Sequence, residues 1–278
     1  MKRRKLFCEI SPTTYRISVL KCQLIRRIQD LFSPTAFAKQ KSDAPLPVCI
    51  CKHNSLMRRK LGNVDLQLQE HKVVNLNLSA PSVSGVLIRP GETFSFWRLV
   101  GNCTKRKGYQ EGLLIRGGEV SKGIGGGMCQ FTNLIHWLVL HTPLDIVEHH
   151  HHDGMDLFPD YGRQTPFGIG TSILYNYLDY RFRNNTDQTY QLIVFTTEKY
   201  LCGEIRATRP LARKYHIKVE NECFVEDDGE VFRTGDVFRE CVDKATGILL
   251  EKQLIKSNYA KVMYDTKNLL ITSGKSGE

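Results

Sequence analysis

The stretch Gly123-Ile124-Gly125-Gly126-Gly127-Met128-Cys129-Gln130 predicts how the chain folds around Cys129. The consecutive glycines permit a tight turn without side chains, and apolar residues follow at helical spacing: Phe131, Leu134, Ile135, Leu138 and Val139. This pattern predicts a helix from about Met128 to His141, with Cys129 near its start. A helix start stabilises a thiolate and offers free backbone N–H groups to an oxyanion, so Cys129 is a candidate nucleophile.

Four consecutive histidines, His149 to His152, follow about twenty residues after the cysteine. The preceding segment, Leu144 to Val147, is predicted to be a strand. A histidine near the thiol is able to take and return its proton. His136 and His141 lie beside apolar residues of the predicted helix, so we expect structural roles for them.

The positive charge of the 278-residue chain, formally +10, is concentrated at one end. Residues 1–60 contain fourteen Lys or Arg against Glu9, Asp30 and Asp43, and no zinc-finger or RNA-binding signature accompanies them. We therefore expect no nucleic acid partner. A solvated basic face is the simplest interpretation, and contact with an anionic membrane surface or a polyanionic substrate is the alternative.

An amphipathic helix is predicted within this basic region. Apolar residues recur three or four positions apart and stop before Ser33-Pro34: Ile17, Leu20, Leu24, Ile28 and Leu31. We expect the helix to pack on the main body, and an anchor on the membrane surface is the alternative. Residues 34–47, with three prolines, are predicted to be a connector.

Cysteine usage and hydropathy suggest a cellular location. The nine cysteines are scattered and form no dense disulfide framework, and no run of eighteen apolar residues or unbroken signal-peptide core is present. We expect a cytoplasmic protein, with a peripheral position at the inner membrane face as a variant. The Cys49-Ile50-Cys51 spacing is wrong for zinc and instead predicts a short strand, Val48 to Cys51.

The remaining pattern predicts an α+β fold, mostly antiparallel, around the helix that follows the glycine turn. Strands are predicted at Val86 to Ile88 and Thr93 to Trp97, in a hairpin around Gly117-Gly118, and at Asp179 to Phe182, Tyr190 to Thr196 and Cys202 to Ala207. Five short strands follow between Tyr215 and Ile255. We therefore predict a basic, partly helical region at 1–80, a central domain at 81–210 and a small β-rich subdomain at 211–278.

Four blocks of the sequence together resemble the VanW family. They are Arg89-Pro90-Gly91-Glu92-Thr93-Phe94-Ser95-Phe96, Gly125-Gly126-Gly127-Met128-Cys129-Gln130, Val147-Glu148-His149-His150-His151-His152 and Phe182-Arg183-Asn184-Asn185-Thr186-Asp187-Gln188-Thr189-Tyr190. The blocks keep the order and approximate spacing of the family over nearly half the chain. The chain also looks like the stand-alone members that accompany glycopeptide-resistance genes.

The resemblance implies a chemistry, because VanW domains of some exported relatives are described as L,D-transpeptidases that use a cysteine. It implies cysteine-dependent acyl transfer on peptidoglycan stem peptides or precursors, without a cofactor. Cys129 matches the cysteine of the family motif, and His150 and His152 match its His-x-His pair. The family's Gly-Arg-Asp-Ala-Thr stretch is altered here to Gly162-Arg163-Gln164-Thr165-Pro166.

In the mechanism that this resemblance implies, Cys129 attacks an amide carbonyl and His150 or His152 accepts its proton. If these two histidines lie on a strand, they share one face. Backbone N–H groups around Gly127, Met128 and Gln130, together with the Gln130 side chain, are candidate oxyanion donors. The sequence leaves the orienting group open among four side chains: Glu148, Asp153, Asp156 and Arg163.

Two alternatives to catalysis remain open at this point. A metal ion bound by Cys129, His150 and His152 is one, although no fourth ligand is evident, and we expect no metal. The other is a non-catalytic accessory that binds a cell-wall precursor or a partner through a groove of aromatic residues: Phe94, Phe96, Trp97, Tyr161 and Phe167.

Overall fold

The computed structural model describes residues 6–58, 66–116, 119–151, 154–157, 159–160 and 165–273. The α-helices in these ranges are α1 (Pro12–Phe32), α2 (Leu66–Val83), α3 (Phe96–Val100) and α4 (Met128–Leu140). The strands are β1 (Val48–Leu56), β2 (Val86–Ile88), β3 (Thr93–Ser95), β4 (Glu111–Arg116), β5 (Glu119–Ile124), β6 (Asp145–Glu148), β7 (Met155–Asp156), β8 (Arg181–Arg183), β9 (Tyr190–Thr196), β10 (Tyr200–Ala207), β11 (Arg213–Asp227), β12 (Glu230–Asp243), β13 (Leu249–Val262) and β14 (Ile271–Ser273).

The strands form a mostly antiparallel arrangement, which confirms the predicted α+β class. A central sheet has the order β1-β10-β9-β2, and a small sheet has the order β3-β8-β6. Strands β4 and β5 make the predicted hairpin, although its Gly117-Gly118 turn lies outside the described residues. A long sheet near the C-terminal end has the order β14-β11-β12-β13-β7.

Helix α4 forms where the sequence predicts it and packs against β1 and β10 of the central sheet. Four of its apolar side chains are almost completely buried: Phe131, Leu134, Ile135 and Leu138. Each contributes roughly 2 kcal/mol relative to an exposed position. Gly203 of β10 permits the close approach, because a Cβ there would lie 2.9 Å from Leu138 Cδ1 and 3.0 Å from Leu134 Cδ2.

One predicted strand is shorter than expected, and one helix was not predicted. The strand expected from Thr93 to Trp97 ends at Ser95, because Asp179 Oδ1 accepts the backbone N–H of Trp97 at 3.1 Å and α3 begins there. Helix α2 forms from Leu66 to Val83, a segment to which the sequence pattern assigned no single element. Four buried apolar residues of this helix belong to the main core: Val73, Leu76, Ala80 and Val83. Residue 80, the predicted domain boundary, lies within the helix, and the division into domains stays a prediction.

Helix α1 ends at Phe32, close to the predicted Ser33-Pro34 stop. Its start is capped by Ser11, whose hydroxyl accepts the backbone N–H of Thr14 at 3.2 Å. The helix lies on the main body, as expected, but the contact is made by polar side chains such as Arg26, which donates to Glu148 at 2.7 Å, and the apolar stripe of the helix is exposed. No helix in the described ranges is long and apolar enough to cross a membrane.

The C-terminal segment contains three long strands instead of five short ones. The predicted pieces between Tyr215 and Ile255 belong to β11, β12 and β13. A bulge shifts the register between Glu220 and Cys223, where Asn221 has φ +55°. A bulge reverses the phase of the alternating pattern, so one strand looks like two in the sequence.

Two sequence blocks of the VanW-like pattern pack on each other. Phe94 of β3 stacks on Phe182 of β8 with ring centroids 4.6 Å apart. Just beyond β8, the fully buried Asn184 donates from Nδ2 to the carbonyls of Ile88, at 2.8 Å, and Gln188, at 2.7 Å. These blocks therefore build the core beneath the candidate site.

Candidate active site at the start of helix α4

The three glycines before Met128 occupy positions that exclude a side chain. Gly125 and Gly127 have φ of +76° and +99°, in the left-handed region that favours glycine. A Cβ on Gly126 would lie 2.2 Å from the carbonyl carbon of Gly112 in β4. The turn lies directly on the backbone of β4, so the hairpin fixes the position of the first turn of α4.

Asn75 of α2 holds this turn from the other side. Its side chain is fully buried. The amide donates to the carbonyls of Gly126, at 2.9 Å, and Gln110, at 3.0 Å. Its oxygen accepts the Gln110 N–H at 2.8 Å. Both polar atoms of this buried side chain are therefore hydrogen-bonded. These bonds join α2 to Gln110, just before β4, and to the glycine turn.

Cys129 lies in the first turn of α4 and is partly buried. Burial raises the pKa of its thiol, and hydrogen bonds from the backbone of Ile173 and of Cys129 itself only partly offset this effect. The resting group at neutral pH is therefore a thiol. Nucleophilic attack requires a base to remove the proton, while the two backbone N–H groups are already placed to favour the thiolate.

A cavity of about 460 Å³ lies beside Cys129 and is large enough for a small peptide segment. Cys129 and Asn133 of α4 line it together with His151. The rest of its described lining comes from residues 154–157, 165–171 and 256–260. The site is thus formed by α4, the end of the histidine run, one loop and a strand of the C-terminal sheet.

The loop that carries Ile173 is tied to α4 by polar contacts. Asn133 Oδ1 accepts the backbone N–H of Thr171 at 2.6 Å and its hydroxyl at 2.8 Å. The hydroxyls of Thr132 and Thr171 also bond each other. Both threonine hydroxyls approach the Cys129 carbonyl, at 3.2 and 3.4 Å. These bonds hold the loop against the helix at the level of the thiol.

Three histidine rings form a column between the core and the cavity. The rings of His136 and His149 are 4.1 Å apart, and those of His149 and His151 are 4.0 Å apart. His136 is fully buried on α4, with Nδ1 3.0 Å from the Tyr180 hydroxyl. The column ends at His151 in the cavity wall.

The two inner members of the column are uncharged at neutral pH. Burial lowers the pKa of His149 to about 3, with a further contribution from His151 that outweighs the opposing hydrogen bond to the Gly170 carbonyl. Burial likewise lowers the pKa of His136 well below its ordinary value, again with contributions from its histidine neighbours. Because the inner rings are neutral, they pack close together without electrostatic repulsion.

The predicted base His150 contacts Glu148, one of the predicted orienting groups. His150 Nε2 lies 3.0 Å from Glu148 Oε1. The same carboxylate accepts both Arg26 nitrogens at 2.7 Å and the backbone N–H of Asp179 at 2.9 Å. Burial tends to raise the Glu148 pKa, but these hydrogen bonds together lower it.

The strand argument for the histidine run is corrected. Strand β6 ends at Glu148, so residues 149–151 do not continue the alternation of faces. The described cavity wall contains His151, whereas the His150 ring lies against Glu148. His152, Asp153 and Arg163, which were expected to act as base or orienting groups, lie outside the described residues.

The expected supporting residues around Cys129 have mainly structural contacts. The Gln130 amide donates to Ser55 Oγ at 2.9 Å and the Leu56 carbonyl at 2.8 Å, so it ties α4 to β1. These contacts favour a structural role for the Gln130 side chain over the role of oxyanion donor. The buried Met128 sulfur accepts a hydrogen bond from Ser79 at 3.2 Å, and Gly127 is the N-cap of α4.

The C-terminal sheet supplies the wall opposite α4. Gly168, with φ +86°, packs on the side chain of Asn258, where a Cβ would lie 2.0 Å from Oδ1. Asp156, the fourth candidate orienting group, accepts the Tyr264 hydroxyl at 2.8 Å and lies 3.3 Å from Arg233. In the described part of the chain, no three His, Cys, Asp or Glu side chains are arranged to hold a metal ion.

Sequence reasoning missed Asn133, Thr171 and the wall from β13. Asn133 lies four residues after Cys129 on a predicted helix, so the two share one face, and this spacing was a usable signal. His151 belongs to the histidine run, but whether its side chain faces the cavity depends on where β6 ends. Thr171 and residues 256–260 have no local motif, because tertiary contacts alone bring them to the cavity.

The fold and site define an α+β protein with a cysteine at a glycine-rich helix start. A family model described as VanW like protein matches residues 71–206. The chain is 33% identical to the Enterococcus faecalis protein named Vancomycin B-type resistance protein VanW over 233 residues, 84% of each chain. It is 34% identical over 114 residues to the uncharacterized Bacillus subtilis protein YoaR, covering 41% of this chain and 36% of that protein.

No solved structure matches the chain. The extent of the similarity to the enterococcal protein is sufficient to assign membership. The chain belongs to the VanW family, as its sequence blocks indicated.

Proposed function

We propose that this protein is a cysteine-dependent acyl transferase that acts on peptidoglycan stem peptides or their precursors and contributes to glycopeptide resistance. The name of the enterococcal relative motivates the resistance context. The observation that carries the chemistry is the position of Cys129, at a glycine-fixed helix start, in a cavity that also contains His151.

The proposed reaction has two stages. The Cys129 thiol loses its proton to a histidine, and the sulfur attacks an amide carbonyl of the donor peptide, so that an S–C bond forms. The C–N bond then breaks, and the leaving amine takes the proton from the histidine. An acceptor amine, or water, attacks the thioester, releases the cysteine and completes transfer or hydrolysis.

His151 is the base that the described geometry favours, because it lines the cavity with Cys129. His149 packs against it and is itself too weakly basic to compete for the proton. Asn133 and Thr171 act as positioning residues, since they fix the loop whose Ile173 N–H bonds the sulfur. His150 and His152 remain the bases that the family resemblance suggests, and variants decide among the three.

The oxyanion of the tetrahedral intermediate requires donors near the thiol. The first-turn N–H groups of a helix have no acceptor within the helix. In α4 the Gln130 N–H already donates to the Gly127 carbonyl at 3.0 Å. We therefore assign the oxyanion to the first-turn backbone at Met128 and Cys129, supported by the helix dipole.

We propose a cytoplasmic location, where the substrate would be a precursor and not the mature wall. A lipid-linked precursor at the inner membrane face combines this location with peptide chemistry. Cell fractionation with the full chain tests the location. Recovery of the protein from the outer surface or the medium would contradict it.

The activity itself is tested with purified full-length protein, a stem tetrapeptide as donor and a second stem peptide as acceptor. Chromatography and mass spectrometry then measure the cross-linked and hydrolysed products. Cys129→Ala is expected to abolish both products. Cys49→Ala removes an exposed cysteine of β1 and serves as the matched control, with activity unchanged.

A second candidate function is non-catalytic binding of a cell-wall precursor. The raised pKa of the Cys129 thiol favours this function, because a thiol that stays protonated lines the cavity without acting as a nucleophile. Equal protection of cells against a glycopeptide by wild type and Cys129→Ala, with equal binding of muropeptide, would establish this function in place of catalysis.

A further inference from the structure

Helix α1 exposes its apolar side to solvent. The exposed fractions are substantial along one stripe of the helix: Ile17 50%, Leu20 64%, Leu24 58%, Ile28 48% and Leu31 76%. These residues are three or four positions apart, so they form one continuous face. The short turn before α1 adds further exposed apolar side chains: Leu6, Phe7 and Ile10.

The helix is attached to the main body through its polar side. Arg26 makes a two-bond contact with Glu148, at 2.7 Å for each bond, and Asp30 makes a similar contact with Arg181. Gln23 donates to the Tyr175 carbonyl at 3.2 Å. This arrangement is the reverse of an ordinary surface helix, which buries its apolar stripe and exposes its charges.

The position of the attached residues explains why the stripe cannot face the core. On a helix with 3.6 residues per turn, Gln23, Arg26 and Asp30 lie on the side opposite Ile17, Leu24 and Ile28. The charged side chains that make these contacts are only slightly exposed, at 7% for Asp30, 13% for Glu148 and 10% for Arg181. Turning the helix to bury the stripe would break these contacts and expose their partners.

Basic residues border the apolar stripe on both sides. Arg16 and Arg27 lie along one edge and Lys21 lies along the other, and all three are exposed. The one acidic residue of α1 is Asp30, which is turned inward to Arg181. The outer surface of the helix is therefore apolar along its centre and positive along its edges.

We propose that α1 is a docking surface for an anionic lipid bilayer, on which the helix lies in the plane of the membrane. An apolar stripe with basic borders matches the acyl region and the anionic headgroups of such a surface. A second copy of the chain fits less well. Pairing two of these faces brings together the basic borders of both helices without a facing carboxylate.

The proposal does not depend on the chemistry proposed for Cys129. Docking through α1 would keep the protein at the membrane where lipid-linked precursors lie, but it follows from the outer face of the helix alone. Cys129→Ala is therefore expected to bind vesicles as well as wild type does. Loss of acyl transfer with retained binding would separate the two proposals.

Flotation of the full chain with vesicles tests the docking surface. Vesicles of phosphatidylglycerol and phosphatidylcholine are expected to carry the protein, and vesicles of phosphatidylcholine alone are not. The combined variant Arg16→Gln, Lys21→Gln and Arg27→Gln is expected to weaken binding at least about tenfold. The matched control is Lys199→Gln, Lys244→Gln and Lys267→Gln, which removes three exposed charges elsewhere and leaves binding within about twofold.

The apolar contribution is tested by Leu20→Ser, Leu24→Ser and Ile28→Ser, with an expected loss of at least about tenfold. Its control is Leu249→Ser and Leu254→Ser, two exposed apolar residues of β13. Circular dichroism confirms that each variant folds. The proposal is overturned if the wild-type protein does not bind anionic vesicles. It is also overturned if the α1 variants bind vesicles as wild type does and alter only a concentration-dependent dimerisation, measured by analytical ultracentrifugation.

Discussion

The ring of His149 packs against the ring of His151 with their centroids 4.0 Å apart, and this contact joins the buried core to the cavity that contains Cys129. On its other side, the His149 ring contacts the ring of His136, with the centroids 4.1 Å apart, and His136 Nδ1 contacts the Tyr180 hydroxyl. The orientation of His151, which lines the cavity with Cys129, therefore depends on residues buried beneath the cavity. This relationship leads directly to the first prediction.

His151→Gln is expected to lower kcat/KM for the transfer by a factor of about 100 to 10,000, the usual contribution of a general base. His150→Gln is expected to have a smaller effect on the rate, because His150 contacts Glu148. The comparison uses initial rates with the tetrapeptide donor. A larger loss for His150→Gln than for His151→Gln would return the base to the residue that the family resemblance suggests.

The histidine column also predicts a dependence of stability on pH. The pKa of His149 is about 3 in the folded protein and about 6.5 in the unfolded chain. Between these values the unfolded state binds the extra proton, so the free energy of unfolding falls as the pH decreases from about 6.5. Urea unfolding across this range measures the slope, to which His149 contributes at most about 1.4 kcal/mol per pH unit.

The matched variant for this effect is His149→Phe, which keeps an aromatic ring in the column but cannot titrate. Its stability is expected to depend less on pH below about 6.5, although the lost bond to Gly170 lowers the neutral-pH value slightly. An unchanged slope in this variant would assign the acid sensitivity to other groups.

The glycine turn predicts a sharp difference between two alanine substitutions. Gly126→Ala is expected to destabilise the fold by more than about 3 kcal/mol, since its Cβ would overlap the backbone of Gly112 in β4. Gly91→Ala faces open space at φ +82° and is expected to cost only about 1 kcal/mol. Thermal unfolding compares the two variants. Similar values would show that the turn lies away from β4.

Loss of the Arg26 contact to Glu148 is expected to lower the free energy of unfolding more than loss of a surface ion pair does. Arg26→Gln removes two bonds from a largely buried carboxylate and is expected to destabilise by about 2 to 4 kcal/mol. Arg58→Gln breaks the exposed pair with Glu70 and is expected to change stability by less than about 1 kcal/mol. Denaturant unfolding provides both numbers, and equal values would contradict the buried position of Glu148.

The α4 segment is the part of the fold that the sequence predicts best. Apolar periodicity after a glycine turn specifies a helix, and its ends at Met128 and Leu140 agree with the pattern. Period-two alternation likewise predicts β9 and β10. The same rule divides β11 into two shorter pieces, because the bulge between Glu220 and Cys223 changes the phase of the pattern without ending the strand.

The apolar stripe of α1 shows why a pattern specifies an element but not its partner. The spacing of Leu20, Leu24 and Ile28 predicts the helix, but the direction of the stripe is set by Arg26 and Asp30, whose partners are more than 100 residues away. The candidate site has the same limit. Cys129 is recognisable from local sequence, whereas His151 and Thr171 join it through contacts that only the folded chain creates.

The most direct test of the account is the covalent state of Cys129 during reaction with the donor peptide. Intact-mass spectrometry after rapid acid quenching, followed by peptide mapping, is expected to show the donor acyl group as a thioester on Cys129. The adduct is expected to be absent in Cys129→Ala and to disappear from wild type when the acceptor peptide is added. Product formation by Cys129→Ala, or an adduct on another residue, would contradict the assignment of Cys129 as the nucleophile.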